Sequence, residues 1–191
     1  NVSVIFMEFE YETNLDEAAR SADSTDRALR RAGDAPRIPG NTVTLLGDGP
    51  AVFSSWLRDI RQAKRFILLE NYIISNDGIG QQIADALIER AQAGVEVYVL
   101  YDWVGSLATS REFFVRMQRA GVKVRSFGPF RFTAPLRAIQ RNHRKTVSID
   151  GIIGHVAGLC IGDAWAGDSE HGIAPWRDTA VRVEGPAAAE L

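Results

Sequence analysis

Cysteine, histidine and long apolar runs are scarce in this chain of 191 residues. Cys160 is the only cysteine, so no disulfide can form within the chain; this agrees with a reducing compartment without requiring one. No apolar run approaches the roughly 20 residues that a membrane-spanning helix needs, and the chain does not start with a signal-peptide pattern. The three histidines lack a metal-ligand spacing, so we expect no metal and no other cofactor.

Net charge is also nearly absent, at −2, so the overall balance does not indicate a nucleic-acid partner. The basic residues are unevenly distributed, however, because positions 111–145 contain a single acid, Glu112. The basic residues of this run are Arg111, Arg116, Arg119, Lys123, Arg125, Arg131, Arg137, Arg141, Arg144 and Lys145. The basic run suits an anionic partner, and the alternative is that these side chains are solvated surface charges.

Apolar patterning from position 41 onward predicts strands that alternate with helices. Strands are predicted at 43–46, 66–69, 95–103, 122–127, 144–149, 152–161 and 179–183. The alternation up to 127 indicates β-α-β units with a parallel sheet, and Asp150-Gly151 predicts a hairpin. We therefore expect an α/β fold, with a mixed β-sheet flanked by helices on both faces.

Residues 1–40 differ in character from the rest and are predicted to form an N-terminal extension. A short strand is predicted at 7–11 and a helix over 14–31. The catalytic domain is expected over 41–191. Because the chain begins without methionine and ends just as Gly185-Pro186 opens a helix, we expect it to be part of a longer protein.

Two polar groups follow predicted parallel strands, namely Glu70-Asn71 and Asp102. Ligands of such sheets collect beyond the carboxyl ends of the strands, so these residues are candidates for lining a site. The alternative is that they cap loops, and the sequence alone leaves both interpretations open.

One pair of side chains suggests chemistry by its spacing. His143 and Lys145 are two positions apart on an extended segment, and therefore face the same way. An imidazole can attack or transfer protons near neutral pH, and an ammonium can neutralise a phosphate oxygen. Asp150 has an odd offset and lies at the turn, so we expect it to hold that turn. By itself the triplet also fits an exposed basic strand edge.

The wider pattern is more specific. His143-Arg144-Lys145 followed by Asp150-Gly151 spells H-x-K-x4-D-G, which resembles the signature of the phospholipase D superfamily. Residues 157–163 resemble the family's G-G-x-N-I-G-D stretch. Residues 175–179 and 184–186 resemble short motifs found in cardiolipin synthases. Over positions 41–191, the chain is thus similar to the N-terminal half of a cardiolipin synthase, with the first of two such motifs.

The resemblance implies roles for individual residues. His143 would attack phosphorus, or would be the acid–base counterpart of the attacking histidine, and Lys145 would hold the non-bridging oxygens. Asp178 would accept a hydrogen bond from the catalytic imidazole. Asp150 completes the catalytic motif, with an expected structural role. Cys160 stands where the family has a phosphate-binding asparagine, although a thiol donates only weakly.

Two further residues, Glu70 and Arg144, are expected to bind substrate. The implied reaction joins a phosphatidylglycerol-like lipid with another phospholipid to give cardiolipin. The alternatives are a phospholipid hydrolase or nuclease of the same fold, or a non-catalytic fragment. A second H-x-K motif would come from a C-terminal part of the protein or from a homodimer. The protein is expected in the cytoplasm or at the surface of the bacterial inner membrane.

Overall fold

The computed structural model describes residues 24–25, 27–28, 31–32, 38–129, 140–168 and 171–191. The strand predicted at 7–11 lies outside these residues. Of the helix predicted at 14–31, the described positions 24–25, 27–28 and 31 are helical, and so is 32. Residues 39–191 form one compact unit, which contains the whole sheet.

Seven strands form a single mixed sheet in the order β1-β7-β6-β5-β2-β3-β4. Their bounds are β1 Thr42–Asp48, β2 Phe66–Asn71, β3 Glu96–Asp102, β4 Lys123–Phe127, β5 Lys145–Ile149, β6 Ile153–Val156 and β7 Arg177–Glu184. Strands β2, β3 and β4 are parallel, and every other pairing between these seven strands is antiparallel. The predicted mixed sheet is therefore confirmed.

A long helix precedes each of the parallel strands β2, β3 and β4, and a short fourth helix lies between β6 and β7. Their bounds are α1 Gly49–Gln62, α2 Gly78–Gln92, α3 Arg111–Arg119 and the short α4 Asp163–Ala166. Each of the three long helices is capped at its start by a side chain that accepts a backbone N–H of the first turn. The capping residues are Asp48, Asp77 and Ser110. Such caps satisfy donors that an α-helix leaves unpaired at its start.

The hydrophobic core lies on one face of the sheet. Ile67 and Leu69 of β2 alternate toward the long helices, whereas Leu68 between them is partly exposed on the other face. On that open face, the described residues include one helix, the 3₁₀-helix Pro186–Glu190, where Ser148 Oγ donates to the Ala188 carbonyl at 3.0 Å. Helices thus lie on both faces of the sheet, as expected. The three long helices share one face, and the 3₁₀-helix lies on the other.

A buried ion cluster ties α1 to β6 and β7. The Asp59 carboxylate lies 2.8 Å from His155 Nε2 and accepts from Arg182 Nε at 2.7 Å and from Arg58 Nε at 3.0 Å. His155 is 0% exposed and Asp59 is 1% exposed. Burial alone raises the pKa of Asp59, but these hydrogen bonds outweigh it and hold the pKa well below its usual range.

Removing this carboxylate is expected to destabilise the fold. Asp59→Asn should lower the free energy of unfolding by about 3 kcal/mol, because Arg182 loses its buried counter-ion and is left with the exposed carboxylate of Glu184. A depressed pKa contributes stability above the usual aspartate pKa near 4, and that contribution is lost as the pH falls below it. The unfolding free energy of the wild type should therefore fall more steeply than that of Asp59→Asn between about pH 5 and pH 3.

Urea titrations across this pH range measure both effects. The matched control is Asp85→Asn, which breaks the exposed Asp85–Arg116 pair (2.6 Å) and should cost less than about 1 kcal/mol. Equal losses in the two variants, or parallel pH slopes for Asp59→Asn and the wild type, would contradict this account.

Candidate functional site

One edge of the sheet collects the polar side chains of interest. Because β2 and β3 run parallel while β5 runs antiparallel to β2, their ends at Asn71, Asp102 and Lys145 share this edge. The antiparallel pairings continue through β6 to β7, which places Arg177 there as well. We call this the site edge. Beyond it lie the loops in which a parallel sheet holds its ligands.

His143 and Lys145 meet at the site edge. Lys145 opens β5 and is 5% exposed, whereas the His143 side chain is exposed. Lys145 Nζ donates to the His143 carbonyl at 2.9 Å and lies 3.2 Å from Nδ1 and 3.3 Å from Nε2 of the ring. An ammonium can only donate, so the ring nitrogen that accepts from it carries a lone pair. The predicted shared orientation is confirmed.

Tyr72 forms a wall of the same site, and no sequence pattern had indicated a role for it. Its ring centroid lies 4.7 Å from that of His143, and Lys145 Nζ lies 5.7 Å from the Tyr72 ring. A cation this close to an aromatic face is attracted to it. Tyr72 thus packs on the imidazole and stabilises the buried ammonium.

Cys160 is buried close enough to Lys145 to sense its charge. The segment after β2 pairs with residues 160–161, since Ile161 N donates to the Ile73 carbonyl at 3.1 Å. Burial raises the pKa of the Cys160 thiol, and a hydrogen bond from the Ile73 backbone together with the Lys145 charge offsets this in part. The strand predicted at 152–161 is correspondingly shorter, because β6 ends at Val156.

Asp150 lies at the opposite end of β5 from Lys145. Its carboxylate accepts backbone N–H groups of Lys64, Arg65 and Phe66 at 2.8–2.9 Å. Asp150 and Gly151 have φ values of 57° and 70°, and together form the predicted turn between β5 and β6. This geometry supports the structural role that we expected for Asp150.

Asp178 lies near the start of β7, at the site edge. Its carboxylate accepts from Thr179 N at 2.7 Å and packs so closely against Gly158 that a Cβ there would collide with it. Within the described residues, no hydrogen bond joins Asp178 to His143. The predicted pairing of these two side chains stays a prediction.

Glu70 and Arg144, predicted to bind substrate, lie on the other face of the sheet. Strand alternation turns each of them away from its neighbours Asn71 and Lys145. The Glu70 carboxylate instead accepts from Asn142 Nδ2 at 2.9 Å and lies 3.8 Å from Arg144 Nη1. The structure therefore does not bring these two side chains together with the imidazole of His143.

The family of the chain follows from sequence comparison. A family model described as "Cardiolipin synthase, PLD-like domain" matches residues 56–161, more than half of the chain. The chain belongs to this family. It is 41% identical over 151 residues to a cardiolipin synthase of Oceanobacillus iheyensis, which covers 79% of the chain and 31% of the relative. Cardiolipin synthase A of Pseudomonas putida is 39% identical over 166 residues, or 86% of the chain and 34% of the relative. The chain spans about a third of the length of these curated relatives.

The fold of the chain is the fold of solved proteins of the phospholipase D type. Phosphatidylserine synthase of Haemophilus influenzae superposes with a TM-score of 0.66 at 19% identity, covering 87% of the chain and 38% of that protein. Nuc of Salmonella typhimurium, a phospholipase D family member, superposes with a TM-score of 0.59 at 18% identity, covering 79% of the chain and 88% of Nuc. The predicted fold is confirmed.

In this family member, acidic side chains neutralise part of the basic run; Glu112 lies within the run, and Asp85 and Glu96 lie on other elements. Arg116 pairs with Asp85, Arg119 with Glu112 and Lys123 with Glu96, at 2.6–3.0 Å. Arg131 and Arg137 lie outside the described residues. Within the described ranges, no salt bridge involves Arg111 or Arg125, and no group of three or more His, Cys, Asp or Glu side chains could hold a metal ion.

Proposed function

We propose that the chain supplies one half of the catalytic centre of a phosphatidyltransferase that makes cardiolipin from phosphatidylglycerol. The proposal rests on one observation above the others: an exposed imidazole is held against a buried ammonium at the site edge. Family membership and the 41% identity to a protein named cardiolipin synthase support the choice of a phospholipid substrate.

The proposed reaction has two displacements at phosphorus. In the first, a His143 ring nitrogen attacks, the bond to the glycerol oxygen breaks, and a second histidine donates a proton to the departing glycerol. In the second, the hydroxyl of another phosphatidylglycerol attacks, the phosphorus–nitrogen bond breaks, and the second histidine takes up the hydroxyl proton. Lys145 neutralises charge on the non-bridging oxygens in both steps. The products are cardiolipin and glycerol.

His143 is the better candidate for the nucleophile. A nucleophile needs an unprotonated ring nitrogen, and the contact with the donor-only Lys145 ammonium favours a ring that has one. That lone pair becomes free to attack phosphorus when the ammonium turns to the phosphate oxygens. The second histidine would come from another H-x-K motif, which this sequence does not contain. We propose that a further part of the polypeptide or a second copy of it provides this motif. Asp178 is proposed to orient one of the two imidazoles.

Product analysis tests the function. The purified protein is incubated with vesicles of radiolabelled phosphatidylglycerol, and with plasmid DNA in parallel. Cardiolipin and glycerol in equal amounts are expected. Phosphatidic acid without cardiolipin would replace the proposal with a phospholipid hydrolase, and DNA cleavage without lipid turnover would replace it with a nuclease.

We also propose that the site edge rests on the membrane surface. No helix in the described part of the chain is long and apolar enough to span a bilayer. Leu107 (59% exposed) follows β3, while Ile173 (57%) and Trp176 (60%) precede β7. They therefore flank the strand that begins at Lys145 from both sides. Apolar side chains with an interfacial tryptophan around a polar centre suit a peripheral protein of the bacterial inner membrane.

Vesicle binding tests this orientation. The double variant Leu107→Ser/Ile173→Ser should bind phosphatidylglycerol vesicles at least about 10-fold more weakly, because two inserted side chains are lost. The matched control is Ile152→Ser, since Ile152 is 55% exposed at the opposite edge of the sheet, and its binding should not change. Equal losses in both variants, or none in the double variant, would contradict the orientation.

A further inference from the structure

A hydrogen-bonded network on the open face of the sheet holds the segment that carries His143. Asn142 is at its centre. The Asn142 backbone N–H donates to Asp102 Oδ2 at 2.9 Å, and its side-chain Nδ2 donates to Glu70 Oε2 at 2.9 Å. Asn142 Oδ1 in turn accepts from the Arg144 backbone N–H at 3.1 Å. The residues on both sides of His143 are thus bonded to each other and to the sheet.

The anchors of this network are themselves fixed. Asp102 is 0% exposed, and its other oxygen accepts from Val104 N and Gly105 N at 3.0 Å each, so the carboxylate cannot turn without breaking these bonds. Glu70 projects from β2, between the buried residues Leu69 and Asn71. Both acids belong to strands of the central sheet, which makes them rigid supports for the site.

The ring of His143 has few restraints of its own. Within the described residues, the hydrogen-bond and aromatic contacts of the ring are with Lys145 and Tyr72. An exposed side chain with so few directional contacts depends on its backbone for its direction. Misplacing a reacting group by about 1 Å can cost about 100-fold in rate.

We propose that Glu70, Asn142 and Asp102 are positioning residues that aim the His143 imidazole at the phosphorus atom. None of the three contacts the imidazole; they act through the backbone at 142–144. This inference rests on the proposed function, since it assigns a role in the same phosphoryl transfer. It also gives Glu70 a role different from the substrate contact predicted from sequence.

Asn142→Asp is the disruptive variant. It is isosteric and keeps an oxygen for the Arg144 N–H, but it sets a carboxylate against the Glu70 carboxylate in place of a hydrogen bond. We expect kcat to fall about 100-fold while KM changes less than about 3-fold, because the substrate contacts remain but the nucleophile is displaced. The assay uses the small substrate bis(4-nitrophenyl) phosphate as well as phosphatidylglycerol vesicles.

The matched rescue exchanges donor and acceptor. In Glu70→Gln/Asn142→Asp, the new amide at position 70 can donate to the new carboxylate at position 142, so the hydrogen bond returns with its direction reversed. The double variant should recover kcat to within about 5-fold of the wild type, a coupling that independent sites would not show. Glu70→Gln alone should lose less than about 5-fold, since its amide oxygen still accepts from Asn142.

A spectroscopic signature separates this inference from the proposed function. The ring nitrogen signals of His143 should shift in Asn142→Asp and return in the double variant, whether or not the protein turns over lipid. Melting temperatures of all variants should agree within a few degrees. Unchanged His143 signals in Asn142→Asp, or no recovery in the double variant, would overturn the inference. Absence of lipid transfer in the wild type, with the signals behaving as expected, would overturn the function alone.

Discussion

Replacing His143 with alanine is expected to lower kcat for phosphatidyl transfer by at least about 1000-fold, because the displacement loses its nucleophile. The fold should persist, since the side chain is exposed and its ring contacts in the described residues are with Tyr72 and Lys145. Steady-state assays on phosphatidylglycerol vesicles measure the loss, and circular dichroism melting checks the fold.

His171→Ala is the matched control for this variant. Like His143, His171 is exposed. Its ring contacts a carboxylate instead of an ammonium, with Nδ1 2.6 Å from Asp168 Oδ2. Its removal should change kcat by less than about 3-fold. A His143→Ala protein as active as His171→Ala would instead support the non-catalytic interpretation of the fragment.

Lys145→Met is expected to have the second largest effect. The loss of one preorganised donor to the phosphate oxygens should reduce kcat by about 100- to 1000-fold. Stability should move the other way or not at all, because replacing a buried ammonium by an apolar chain of similar volume removes a desolvation cost. Activity and stability are therefore expected to separate in this variant, as kinetics and urea titration can show.

Two control variants separate the effect of losing any ammonium from the effect of losing the Lys145 ammonium. Lys123→Met removes an exposed ammonium that pairs with Glu96 at 3.0 Å, and should leave kcat within about 3-fold. Lys145→Arg keeps the charge but not the compact ammonium, and should recover only part of the activity. If Lys145→Met lost activity only in proportion to lost folded protein, Lys145 would have a structural role and the proposed phosphate contact would be wrong.

The sequence predicted the fold well where the signals are local. The Asp150-Gly151 pair predicted its turn because positive φ angles at two successive positions suit few residue types. The apolar run at 66–69 predicted β2, and the strands predicted at 95–103 and 122–127 match β3 and β4 to within one residue at each end. Which face of the sheet each helix covers was not predictable, because alternation marks a buried face without naming its partner.

The site was also predictable only where its geometry follows from neighbouring positions in the sequence. His143 and Lys145 are two positions apart, so the shared direction of their side chains could be predicted from strand geometry. The position of Glu70 relative to His143 was not predictable, because it depends on the register that pairs Asn71 with Lys145 across 74 positions of sequence. The network around Asn142 joins residues 40 and 72 positions apart, and no local pattern signals such contacts.

Trapping the covalent intermediate tests directly whether His143 attacks phosphorus. The protein is mixed with phosphatidylglycerol carrying a labelled phosphate, quenched within milliseconds to seconds, and digested for mass spectrometry. With His143 as the nucleophile, we expect a phosphatidyl group on its imidazole, formed and consumed at rates that support turnover and absent in Lys145→Met at the same times. An adduct on a different residue during full turnover would contradict it.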